Sequence, residues 1–217
     1  MTLDKGIRYV SCNAPEELKD LLRRSGFAVS EVCPAPTVST PVTAHPDINM
    51  CRLGISIDAD VMKALPEELG SDYPADIPYN AACTGKYFIH NLRHTAPRLL
   101  EAAQLAGMSM IDVRQGYAKC SCVIVDEDSI ITYDHGIASR CEKAGMNVLL
   151  VRPGGIDLEG YDTGFIGGTS GRVDDAVIFC GDIDSHPDAV QIREFIEKRG
   201  LKVIDFDFPL TDIGSII

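Results

Sequence analysis

The 217-residue sequence predicts one α/β domain, spanning residues 1–217, made of about five repeats of a strand–strand–helix–strand unit. Three observations carry this. A helical run, a glycine and an apolar strand recur in that order along the chain. Helix starts repeat a polar residue two places before a proline. Extra short strands lie between the helices, where an open parallel sheet would place one strand per helix.

The helix exits are LLRRSGFAVSEV, AAQLAGMSMIDV, RCEKAGMNVLLV and FIEKRGLKVIDF. Their glycines (Gly26, Gly107, Gly145 and Gly200) fall where a helix C-terminus takes a left-handed residue. A weaker fifth copy ends at Gly70 in LPEELGSDYP, giving a period of roughly 40 residues. Asn13 before Pro15, Thr95 before Pro97 and Ser185 before Pro187 read as N-caps with proline in the first turn. Glu16 and Asp188 follow as in a capping box, and His186 belongs to that first turn. Asp134 ends a strand and caps the helix that runs to Gly145.

Ahead of that helix, KCSCVIV, a DEDS turn and IITYD form a β-branched hairpin. On a strand, Lys119 and Cys120 face opposite ways, and Cys120 and Cys122 share a face. GFIGGTSG at Gly164–Gly171 invites a phosphate-loop reading, but no Gly-Lys-Ser/Thr tripeptide occurs in the chain. The next apolar run, Ala176–Cys180, is a strand, so the glycines join strand to strand and the phosphate reading is poor.

Apolar residues make up 45% and charged residues 24%, a normal soluble composition. The net charge of −12 disfavours a nucleic-acid partner and suits a cationic ligand or a protein partner. Met1–Arg8 is polar with no apolar stretch behind it, and no run approaches a bilayer span, so a cytoplasmic protein away from the membrane is expected. The eight cysteines are scattered and read as reduced thiols, with no metal site and no cofactor.

The stretches HPDINMCRLG, DIPYNAACTGKY, QGYAKCS, SIITYDHGIA, GYDTGFIGGTSG and TDIGSII, from His45 to Ile217, resemble the pentein or guanidine-group-modifying-enzyme superfamily. The likeness is closest to a bacterial branch with no assigned function. It implies a pentein-like α/β propeller of about five pseudo-symmetric ββαβ repeats around a central channel. Pentein enzymes attack guanidinium groups with a cysteine and a histidine, whereas the ribosome anti-association factors of this fold have no catalytic set. Here the last repeat, Thr211–Ile217, has no cysteine, GFIGG has no histidine, and Lys119–Cys120 stands where the resemblance implies an aspartate.

The standard cysteine mechanism is therefore not expected, and any nucleophile comes from another repeat. Cys120, beside Lys119, and Cys83, in the Asn80–Lys86 stretch, are the catalytic candidates, with buried structural thiols as the competing reading. His45 and Asp47 precede a strand-like run, on which Asp47 and Asn49 would share a face. The ligand-binding candidates are His45, Asp47, Asn80, Lys119, Gly167 and Asp212. Gly167 belongs to a turn that admits a close neighbour, and the fold resemblance brings Asp212 near the axis. Two functional readings stand open. One is a binder or hydrolase-like modifier of a small guanidino or amino-acid-like ligand in the channel. The other is a non-catalytic protein-interaction pentein. Whether the chain forms a homo-oligomer stays open as well.

Overall fold

The computed structural model describes residues 6–34 and 41–217. Among the described residues the strands form five small sheets, two of two strands and three of three. Strand β1 (Ile7–Ser11) and strand β2 (Ala28–Val32) pair in parallel across helix α1 (Glu16–Arg24). Acidic Glu16 and Glu17 open that helix, basic Arg23 and Arg24 close it, and both ends suit its dipole. Next come a helical turn α2 (Pro46–Asn49) and a hairpin of β3 (Met50–Arg52) with β4 (Val61–Lys63).

Three full copies of the expected unit follow. The first is β5 (Ala82–Cys83), β6 (Tyr87–His90), α3 (Pro97–Leu105) and β7 (Ser109–Asp112). A helical turn α4 (Ala118–Ser121) leads into the second: β8 (Cys122–Asp126), β9 (Ser129–Thr132), α5 (His135–Lys143) and β10 (Asn147–Leu150). The third is β11 (Ser170–Val173), β12 (Ala176–Phe179), α6 (Ala189–Glu197) and β13 (Lys202–Ile204). In each, the first two strands are antiparallel and the helix crosses over to a parallel third.

The glycine exits hold. Gly26, Gly107, Gly145 and Gly200 all have positive φ, from 73° to 95°. The helices α3, α5 and α6 each bury one face against their own sheet and the preceding one. Ile137 and Cys141 of α5, for example, meet Ile89, Ile111 and Ile130 in one cluster. The last residues return to the start: Tyr9 and Ile217 exchange backbone hydrogen bonds of 2.8 and 3.0 Å.

Several local expectations fail, each for a visible reason. The side chains of Asn13, Thr95 and Ser185 do not cap helices, which begin later at Glu16, Pro97 and Ala189. Thr95 Oγ1 instead hydrogen-bonds His90 Nδ1 at 2.7 Å, and Ser185 Oγ donates to the Asp182 carbonyl at 2.6 Å. Asp134 does cap, accepting from the Ile137 N–H at 2.8 Å. No α-helix precedes Gly70, only a 3₁₀ turn at Pro66–Glu68, and Gly70 is needed there because Ala75 packs against its Cα. In GFIGGTSG the glycines do not join strand to strand directly: Gly167–Thr169 is a 3₁₀ turn and β11 starts at Ser170. His45 and Asp47 precede and occupy a helical turn, so Asp47 and Asn49 do not alternate along a strand. Lys119 and Cys120 also lie in a helical turn, which removes the shared face of Cys120 and Cys122.

Candidate functional site

The turn at Ala118–Ser121 is held from outside its own sequence. Asn80 Oδ1, fully buried, accepts from the backbone N–H of Lys119 at 2.9 Å and of Cys120 at 3.2 Å. Those are orphan donors of a helical first turn, and a distant amide satisfies them. The same side chain donates from Nδ2 to Cys120 Sγ at 3.1 Å. Cys120 Sγ in turn donates to Asp47 Oδ2 at 3.1 Å, and Asp47 also accepts from Ser215 Oγ at 2.7 Å. Lys119 Nζ completes the chain by donating to Ser215 Oγ at 2.8 Å and to the Gly167 carbonyl at 3.2 Å. Residues from five separate stretches thus form one buried polar network.

His45 and Asp212 lie beside it. His45 Nδ1 is 3.8 Å from Asp212 Oδ1 and has no hydrogen-bond partner, while Asp47 Oδ1 is likewise unpartnered. Asp212 is pinned by backbone donors, Phe165 N–H at 2.9 Å on Oδ2 and Gly214 N–H at 3.0 Å on Oδ1. The glycines of GFIGGTSG exist for this packing. A Cβ on Gly167 would collide with the carbonyls of Lys119 and Cys122, and one on Gly168 with the Asp212 carboxylate. Ser215 is fully buried and takes φ = 73°, a left-handed conformation rare for serine and held by its contacts with Asp47 and Lys119.

A cavity of about 100 Å³ touches this network at His45, Cys120 and Asp212. Its walls include Ile48, Leu158 and the rings of Tyr117, Tyr161 and Phe165. Tyr117 and Phe165 lie with centroids 6.1 Å apart, and half-exposed Tyr161 marks the way out to solvent. Burial pushes the Asp212 carboxyl up, with Asp47 adding to the effect against His45. Burial pushes Lys119 down, and Asp47 pulls it back up. The Cys120 thiol sits well above its ordinary value because of burial and the two carboxylates, so it rests protonated at neutral pH.

Among the expected site residues, His45, Asp47, Asn80, Lys119, Cys120, Gly167 and Asp212 converge here. Cys83 does not share the network. It makes its sulfur contact with Met108 Sδ at 3.3 Å, and burial raises its thiol to about 12. Ser215 and the three rings complete the site without having been candidates. Their signal was thin, since Tyr117, Tyr161 and Phe165 stand in QGYAKCS and GYDTGFIGGTSG with nothing local to give them a common wall.

Among the described residues, Asp182, Asp184 and Asp205 form the one acidic group close enough to hold a metal, but Arg193 binds both Asp184 and Asp205. The cavity brings together no such set. No described helix is long and apolar enough to cross a membrane.

A model of the "Family of unknown function (DUF6873)" matches residues 9–217. No curated protein matches the sequence. Among solved structures, dimethylarginine dimethylaminohydrolase, as its adduct with 4-chloro-2-hydroxymethylpyridine, has a similar fold. The two share 10% sequence identity and superpose with a TM-score of 0.53 over 93% of this chain and 92% of that chain. The fold is thus a mixed α/β arrangement similar to that of dimethylarginine dimethylaminohydrolase.

Proposed function

The chain belongs to the family of unknown function DUF6873, and we propose that it binds a small cationic nitrogen compound, a guanidinium or ammonium, in the cavity at Asp212. One observation carries this reading. Asp47 and Asp212 are buried side by side with only Lys119 as a fixed cation, and His45 adds a second positive charge only when protonated. A buried charge without a partner is costly, so a cationic head group is the natural complement. Each Asp212 oxygen accepts one backbone N–H and keeps lone-pair capacity for a ligand donor. The rings of Tyr117, Tyr161 and Phe165 suit a cation through their π faces.

In this reading the five sheets are blades of one propeller, in a single domain, and the Tyr9–Ile217 pairing closes the ring. Convergence of Asp, Asn, Lys and Cys side chains supports ligand binding over a purely protein-interacting role. The protonated Cys120 thiol supports a binder rather than a guanidine hydrolase working by the ordinary cysteine route.

Thermal-shift and calorimetric titrations with guanidinium, agmatine, arginine and methylated arginines test the proposal, because binding to the folded state raises Tm. Saturable stabilisation by at least one compound, lost in Asp212→Asn, is expected, with no ammonia or citrulline formed. No saturable binding, or binding unchanged in Asp212→Asn, would overturn it. Turnover abolished by Cys120→Ser would show a catalyst instead.

A further inference from the structure

A second cavity, of about 30 Å³, has the opposite charge character. Arg52, Arg172 and Lys119 line it, together with Gly54, Gly171 and Ile216. None of the three cations forms an ion pair among the described residues. Arg52 Nη2 donates to the carbonyls of Ser56 and Ile57 at 3.0 and 2.8 Å. Arg172 donates from Nε to the Val125 carbonyl at 2.9 Å and from Nη1 to that of Ala176 at 3.3 Å. Those bonds fix the guanidinium planes and, among the described residues, leave donors on both groups without a protein acceptor. Lys119 Nζ also keeps one of its three N–H groups beyond Ser215 and Gly167.

Partly buried arginines with neutral partners only are unexpected in a chain with 32 acidic and 20 basic residues. Burial pushes the guanidinia of Arg52 and Arg172 down from their ordinary value. Asp58 opposes this at Arg52, and Asp175, Asp126 and Asp174 oppose it at Arg172, none within ion-pair distance. Arg8, also buried, is lowered to about 10 by burial and then by Arg52 itself, with Asp174 opposing, so the two guanidinium groups repel each other there.

We propose that the cavity between Arg52, Arg172 and Lys119 binds the carboxylate group of a small organic acid. The cavity is small, and a planar carboxylate needs less room in it than a tetrahedral phosphate. Two guanidinium edges match the planar, paired oxygens of a carboxylate. The site is a separate cavity from that at Asp212 but shares Lys119 with the network beside it, and its ligand charge is the reverse.

The test is titration of the full chain with ¹³C-formate and acetate by NMR and calorimetry, with inorganic phosphate and chloride as comparators. Saturable carboxylate binding is expected, weakened roughly tenfold or more in Arg52→Met and Arg172→Met, the loss of one charge-assisted contact. Arg52→Lys, which keeps the charge but not the fork, falls between, and exposed Arg24→Met leaves binding unchanged. Circular dichroism confirms that each variant is folded. Phosphate binding as tightly as formate would overturn the proposal. So would absence of saturable carboxylate binding, or equal affinity in folded Arg52→Met and Arg172→Met.

Discussion

Replacing Asn80 with leucine removes the acceptor that holds the Lys119–Cys120 turn while keeping the branched shape of the side chain. The buried Cys120 N–H, bonded to Oδ1 at 3.2 Å, loses its partner, whereas the Lys119 N–H loses its 2.9 Å bond to Oδ1 and keeps one of 3.1 Å to the Asn80 backbone carbonyl. An unsatisfied buried donor costs about 1–3 kcal/mol, so Asn80→Leu destabilises by roughly 1–3 kcal/mol. That is a large share of the ~5–15 kcal/mol typical of a folded domain. In urea, with m of about 2–3 kcal/mol/M, the midpoint falls by roughly 0.3–1.5 M without a change in slope. Asn91→Leu, whose amide makes only an exposed bond to the Arg114 carbonyl at 3.3 Å, shifts stability by about 0.5 kcal/mol or less. An Asn80→Leu loss below about 1 kcal/mol would refute the claim that this amide holds the turn.

Other outcomes follow from the same geometry. Gly168→Ala drives a methyl into the Asp212 carboxylate, so both its stability in urea and its response to guanidinium ligands fall below wild type. His90, between Thr95 Oγ1 and the Gly116 carbonyl, is lowered to about 4 by burial. A base lowered on folding gives stability that is full above its ordinary 6.5 and fades as pH falls toward about 4, and NMR titration of its ring checks the value. Arg98 holds Glu68 at about 2, so stability linked to this carboxylate fades as pH falls from 4.5 toward about 2. Glu68→Gln flattens that part of a Tm-versus-pH curve, and an unchanged slope would count against the pairing. With iodoacetamide at neutral pH, exposed Cys33 alkylates well before Cys120, as peptide mass spectrometry will show; equal rates would contradict the protonated, buried thiol.

The repeating architecture was legible because its signals are local. A left-handed residue after a helix requires little but Gly26, Gly107, Gly145 or Gly200, whatever lies around it. The β8–β9 hairpin follows from β-branched runs about a short polar turn, and Asp134 caps its helix through its own chain neighbours. The residue types of the site could be read as well, since carboxylates, an amide, a lysine and a thiol are chemically distinctive wherever they fall. Their arrangement could not. Lys119 and Cys120 belong to a β-branched stretch, and local preference there is overridden by an amide 40 residues away, through the Asn80–Cys120 contacts. The same holds for Asp47, which meets Ser215 across 168 positions of sequence. Only folding sets these separations, because it brings each hydrogen-bonding group to partners whose burial makes satisfying them obligatory. For the same reason Cys83 and Cys120 look alike in sequence and differ in the fold, one thiol packed on Met108 and the other between Asn80 and Asp47.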